Sequence, residues 1–153
     1  MRSNREHIFA DPLANNSSVS ELIGAYTAYS DPSAFVTHQL PLPPSAALIA
    51  PAAPQTAIIL AYTLGSLFLM LGAMNVLCTV VTRDVRTTRY YLALLACGDM
   101  GHLYANYLGM GSEVLWNFGA YNDVMMGNVY ITLFLLVNRV ATLAGVFGRM
   151  QRT

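Results

Sequence analysis

The sequence predicts an all-helical protein, a polytopic membrane bundle, and two observations carry this prediction. Of the 153 residues, 55% are hydrophobic and only 10% are charged, whereas soluble domains carry about 25% charged residues. The apolar residues are also gathered into segments long enough to cross a hydrocarbon core, which takes roughly 20 helical residues. The lipid bilayer is therefore the first predicted partner. A net charge of zero argues against nucleic acid as a partner.

Three long apolar segments predict three spans. The first covers residues 56–81 and contains no charged side chain. The second covers residues 90–110, and the third covers residues 124–147. Asp99 and Arg139 are the only charged residues within these segments. A charged residue inside a span is costly unless it faces the bundle interior, so these two residues define the predicted interior.

The amino-terminal third is less regular. Residues 1–18 form a polar leader without the features of a signal peptide. Residues 19–38 are apolar and rich in small side chains, but their uninterrupted part is only about a dozen residues, which predicts a short first span. Asp31 and Pro32 mark its end and are expected to start the next short helix. The proline-rich residues 40–54 are a connector, because proline interrupts helices.

Loop charges predict the orientation of the spans. Residues 82–89 contain three arginines and the tail at 149–153 contains two, whereas the connector at 111–123 contains no basic residue. Because basic loops face the cytoplasm, we expect the carboxyl terminus there. The predicted division is a leader at 1–18, a membrane domain at 19–148 and a cytoplasmic tail at 149–153.

An acid, an imidazole and an amide interrupt the second span at helical spacing. Asp99, His102 and Asn106 share one helix face. Since neighbouring spans run antiparallel, Asp99 and Arg139 lie at about the same depth, and we expect them to pair. One interpretation treats this pair as a buried ion pair that fixes helix register. The other makes Asp99 and His102 a catalytic acid and base in a pocket.

Further polar residues are candidates for the same core or for substrate binding. Asn75 lies in the first long segment, and Asn106 and Asn128 are predicted to form a second polar layer. After the second span, Trp116 and Tyr121 are predicted to be interfacial anchors. The alternative is a lid formed by Trp116, Asn117 and Asn122. Small residues at helix contacts permit close approach, which is the role predicted for four glycines: Gly65, Gly72, Gly98 and Gly101.

The sequence offers no sign of a metal centre or cofactor. Cys78 and Cys97 both lie in spans on the cytoplasmic half, which argues against a lumenal disulfide and against a metal site. His7 and His38 have no ligand-spaced companions. Phosphate-binding, haem-attachment and dinucleotide-binding motifs are absent from the sequence. Any chemistry is therefore expected to proceed without a metal or a cofactor.

Several separated motifs resemble one family. The runs "DPSAFVTHQLP", "LGSLFLMLGAMNVL", "YLALLACGDMGHL" and "WNFGAYNDVMMGNVYITLFLLVNRVATLAGVFG" are similar to those of small fungal integral membrane proteins. That family carries a domain of unknown function and is usually interpreted as having four spans, and the resemblance covers about residues 20–148. The family begins with a full apolar span, from which this chain departs. The matching residues are Asp99, His102, Trp116, Asn117, Asn128 and Arg139.

The resemblance implies a role in fungal specialised-metabolite biosynthesis, because some such proteins are encoded beside biosynthetic enzymes. One hypothesis is an accessory subunit in the endoplasmic reticulum membrane that binds a membrane enzyme such as a cytochrome P450 and a lipophilic intermediate. A second is a cofactor-independent isomerase or cyclase that uses Asp99 or His102 as acid or base. A third is a structural or transport helper without chemistry.

Overall fold

The computed structural model describes residues 10–41, 53–82 and 84–147, and their regular structure is entirely helical. This confirms the predicted fold class at the level of secondary structure. The first nine residues of the predicted leader, most of the proline-rich connector, Arg83 and the predicted tail at 149–153 lie outside the described residues.

The helices are numbered in chain order. Their bounds are α1 Ala10–Ser30, α2 Pro32–Thr37, α3 Gln55–Val76 with a π-helical turn at Leu77–Val81, α4 Val85–Leu115, a 3₁₀ turn at Phe118–Ala120, α5 Asp123–Met126 with a π-helical turn at Gly127–Ile131, and α6 Thr132–Leu143.

The break between α1 and α2 has a clear local cause. Asp31 caps α2, since its side-chain oxygen accepts a hydrogen bond from the backbone N–H of Ala34 at 2.9 Å. Pro32 occupies the first turn of α2, where its missing N–H is not needed. The structure therefore divides residues 19–38 between two helices.

Local signals also mark the start of α4, its interruption and the end of α6. Asp84 caps α4 by accepting a hydrogen bond from the backbone N–H of Thr87 at 3.2 Å. Gly111, with φ of 76°, interrupts α4 one residue after the predicted end of its span. Gly145, with φ of 77°, follows the end of α6, and the backbone N–H of Val146 donates to the Ala141 carbonyl at 3.0 Å. This arrangement is a Schellman motif, and it stops α6 before Phe147.

The helices form two packed pairs. α1 packs along α3, and α4 packs along α6. α1 and α3 are antiparallel, because Ser18 lies beside Asn75 at one end while Tyr29 meets Ser66 at the other. α1 also contacts α6, so α1 joins the two pairs.

Two helices are long and apolar enough to cross a membrane, Gln55–Val81 and Asp123–Leu143. Large apolar side chains remain exposed along both of them, which indicates association with a membrane. α4 is longer than either, but Asp99, His102 and Asn106 reduce its mean hydropathy. The structure thus identifies two of the three long predicted spans as candidates by length and composition.

Only some of the glycines lie at close helix contacts. A Cβ added at Gly65 would lie 2.9 Å from a ring carbon of Tyr29 and 3.2 Å from the Cβ of Ala28. Gly72 faces Glu21 at ordinary contact distance. No described atom lies within 4 Å of a Cβ added at Gly98 or Gly101. Gly98 and Gly101 therefore make no close helix contact within the described chain and lie on an open helix surface.

We predict that Gly65→Ala destabilises the bundle, because the added methyl group forces α1 away from α3. Overpacking of this kind costs about 1–3 kcal/mol. Gly101→Ala is the matched control, and it should leave stability unchanged or slightly higher because alanine favours helix. Thermal unfolding of both variants in the same detergent, followed by circular dichroism, measures the difference. Equal midpoints for the two variants would contradict the α1–α3 contact.

Candidate functional site

Polar side chains from α1, α3, α4 and α6 converge inside the bundle, and we name this group the polar core. Electrostatic interactions link the titratable members, and the one amide member is buried on α3. Its members are Glu21, Asn75, Tyr91, Asp99, His102 and Arg139.

The Asp99–Arg139 ion pair is the centre of the polar core. Nη1 of Arg139 donates to Oδ2 of Asp99, which joins α6 to α4. Arg139 is only 3% exposed, and the Asp99 side chain is half-buried. The structure therefore brings together the two charged residues that the sequence predicts to pair. A buried ion pair contributes to register, since separating the partners leaves an uncompensated charge.

His102 lies one turn after Asp99 on α4. It is half-buried, and its charge interacts with that of Asp99. The predicted acid and base thus share one side of α4. Asp99 is also bonded to Arg139, so His102 lies one turn from an ion-paired carboxylate.

Glu21 is a member of the polar core that sequence reasoning missed. Its residue is 8% exposed, and its charge interacts with those of Arg139 and Asp99. Ser18, Glu21, Ala25 and Ala28 recur at three- and four-residue steps in the sequence. That spacing was the available signal, because it puts the carboxylate on the same face as the small residues that pack on α3.

Tyr91 was also missed. Its hydroxyl donates to the Leu71 carbonyl at 3.1 Å, so that the side chain reaches from α4 to α3. It lies close enough to Glu21 and Arg139 for their charges to interact with it. A tyrosine at the end of an apolar segment resembles an interfacial anchor, which is why its sequence context gave no indication of this inward position.

The three predicted asparagines have different surroundings. Asn75 is 1% exposed, and its amide donates to Ser18 Oγ on α1 at 3.2 Å. Asn106 donates to the His102 carbonyl of its own helix at 2.9 Å.

Asn128 lies in the π-helical turn before α6, and its amide donates to Oε1 of Gln39 after α2. Asn122 makes a parallel connection, because its amide donates to the Leu40 carbonyl at 3.3 Å. The hydrogen bonds of Asn106 and Asn128 thus lead to different partners, one within α4 and the other after α2. The hydrogen bonds of Asn122 and Asn128 connect the segment after α2 to the beginning of the last span.

Trp116 and Asn117 lie apart from the polar core. Both are exposed in the connector after α4, and Trp116 is 68% exposed. The Trp116 ring meets Phe118 edge-on at 6.1 Å between centroids. Phe118 also contacts Tyr121 and Tyr130. This aromatic cluster at the connector is typical of an interfacial position.

The polar core does not resemble a metal centre. Within the described part of the chain, no group of three or more histidine, cysteine, aspartate or glutamate residues is arranged to hold a metal ion. Cys78 is buried, Cys97 is exposed, and both are free thiols. The polar side chains of the core are carboxylate, imidazole, phenol, amide and guanidinium groups.

These features place the protein in the class of helical bundles that have a charged interior, with two helices suited to crossing a membrane. The chain belongs to the family described as "Domain of unknown function (DUF7704)", which matches residues 17–149. This match confirms the domain of unknown function suggested by the motifs, and it includes every member of the polar core. No curated protein and no solved structure matches the chain.

We predict that Arg139→Met destabilises the bundle strongly, because Asp99 then remains buried without its counter-charge. Breaking a buried ion pair costs about 3–5 kcal/mol. The double variant Arg139→Met/Asp99→Asn removes both charges and should recover more than half of this loss. Asp123→Asn, at an exposed carboxylate, is the control. Equal losses in the single and double variants, measured by denaturant unfolding in mixed micelles, would contradict the pairing.

Proposed function

We propose that the chain is an accessory subunit that binds a membrane enzyme of a biosynthetic system through the outer side of α4. The enzyme acts on a lipophilic intermediate, and a cytochrome P450 in the fungal endoplasmic reticulum membrane fits this role. The observation that carries the proposal is one exposed surface, which we name the outer face of α4. It consists of Tyr90, Leu94, Cys97, Gly101, Tyr104 and Leu108.

Every member of the outer face is exposed, and the face lies opposite Asp99 at 100° per residue. Its middle is made of small residues, and a Cβ added at Gly101 meets no described atom within 4 Å. Large side chains flank this depression, with Leu94 on one side and Tyr104 on the other. Small residues let helices approach closely in membranes, so this shape suits an apolar helix of a partner protein.

The charges of the interior also support a subunit. Asp99 and Arg139 are bonded to each other, which leaves neither fully available to a substrate. The pair therefore acts first as a support for α4, because it fixes the rotation of this helix. The outer face points away from the bundle as a direct consequence.

The proposal includes a topology. The protein has four passes, formed by α1, α3, α4 and the α5–α6 segment, with the carboxyl terminus in the cytoplasm. Arg86 and Arg89 at the beginning of α4 support this orientation, because basic residues next to spans favour the cytoplasmic side. The aromatic cluster around Phe118 would then lie at the lumenal interface.

A cofactor-independent isomerase or cyclase is the second candidate, and Glu21 favours it. This residue adds a second carboxylate beside Asp99 and His102, and two carboxylates in different surroundings can divide acid and base roles. In this case Asp99→Asn would remove product at an unchanged protein level. If the protein is a structural or transport helper, Asp99→Asn would leave the amount of product unchanged, and purification would recover no stoichiometric partner.

We predict that the tagged protein, purified from membranes in mild detergent, retains one biosynthetic enzyme at near-equal amount. Gly101→Leu should lower the recovery of this enzyme at least about tenfold, which corresponds to about 1.4 kcal/mol, because the new side chain fills the depression. Ala73→Leu, at an exposed position on α3, is the matched control and should retain the enzyme. Mass spectrometry with a labelled reference measures the ratio.

Recovery of the chain alone would contradict the subunit proposal and favour catalysis within the bundle. Equal recovery with Gly101→Leu and Ala73→Leu would contradict the outer face of α4 as the binding surface. The protein level and helix content of each variant, measured alongside, separate these outcomes from misfolding.

A further inference from the structure

One carboxyl oxygen in the polar core has no hydrogen-bond partner. Oε2 of Glu21 is buried, and no described group donates to it. The oxygen faces Gly72, where an added Cβ would lie 3.6 Å away. Glycine therefore leaves a small space beside this oxygen. A buried carboxyl group without a donor is costly in its ionised form.

The polar groups near Glu21 include groups already hydrogen-bonded to other residues and a carboxylate, which has the same charge as ionised glutamate. From α4, the Tyr91 hydroxyl donates to the Leu71 carbonyl, and Asp99 accepts from Arg139 of α6. His102 also lies on α4 beside Asp99. Cys78, in the π-helical turn after α3, is a further titratable group that interacts with Tyr91. The charge of Arg139 acts on Glu21 and Asp99 together.

Charge balance then distinguishes the two carboxyl groups. If both were ionised while His102 is neutral, two negative charges would share the single positive charge of Arg139. An unbalanced charge in a buried site costs several kcal/mol, and a group in that position takes up a proton instead. Asp99 holds the direct bond to Arg139, so Glu21 is the carboxyl group left without a bonded counter-charge.

We propose that Glu21 is a proton-binding site and that Glu21 and Asp99 are alternative partners of Arg139. Release breaks only the O–H bond of Glu21 and delivers the proton to water. The ionised Glu21 then competes with Asp99 for the guanidinium group. Because Glu21 belongs to α1 while Asp99 belongs to α4, an exchange of partners would shift α1 relative to the α4–α6 pair. This proposal is independent of the accessory-subunit role.

Infrared spectroscopy of the full chain in lipid bilayers tests the proposal. At neutral pH the wild type should show the carbonyl stretch of a protonated carboxylic acid. The band should move when glutamate, but not aspartate, carries heavy carbon in its carboxyl group. The glutamates are Glu6, Glu21 and Glu113. Glu21→Gln should abolish the band, whereas Glu113→Gln, at an exposed position, should retain it.

The variant Asp99→Asn tests the exchange of Arg139 between its two carboxyl partners. In Asp99→Asn the only remaining carboxylate beside Arg139 is Glu21, which should ionise and lose the band although it is still present. His102→Gln should retain the band. Absence of the band in the wild type, or its shift with labelled aspartate, would overturn the proton site. The isotope experiment needs no variant and therefore does not depend on whether a substituted chain folds. A band that persists in Asp99→Asn would overturn the exchange of partners.

Discussion

The need to neutralise a buried guanidinium group constrains the whole bundle. Arg139 is fixed to α6 and almost completely buried, so a carboxylate must reach it from a neighbouring helix. Asp99 supplies that carboxylate and thereby sets both the register and the rotation of α4 against α6. His102 on the same side of α4, and the open glycines on the other side, acquire their positions from this one contact.

α1 contributes the second carboxyl group near the buried arginine. This helix packs on α3 through small residues and a close contact at Gly65, and it brings Glu21 towards the ion pair. The same helix therefore closes the bundle and adds a second carboxyl group to its interior. A single arginine between two carboxyl groups is an arrangement that responds to protonation, since only one of them is balanced at a time. Structural support and proton binding are thus compatible uses of one site.

The sequence was sufficient to predict the ion pair for a simple reason. Asp99 and Arg139 are the only charges in the two apolar segments, and antiparallel helices place them at the same depth. Glu21 escaped prediction because the uninterrupted apolar part of its segment is short for a full span, whereas α1 runs for 21 residues. The breaks at Asp31 and Gly111 follow from local chemistry that the sequence displays. The partners of Asn106 and Asn128 depend on helix rotation and on Gln39, which no periodic pattern specifies.

Solid-state magnetic resonance on the protein in lipid bilayers tests the central claim most directly. The measurement is the dipolar coupling between the side-chain nitrogens of labelled arginine and the carboxyl carbon of labelled aspartate, with Arg139→Lys used to assign the signal. The account predicts a coupling that corresponds to an ion pair between Arg139 and Asp99, with nitrogen and oxygen within about 4 Å. Coupling of the Arg139 nitrogens to lipid phosphate, without coupling to aspartate, would contradict it.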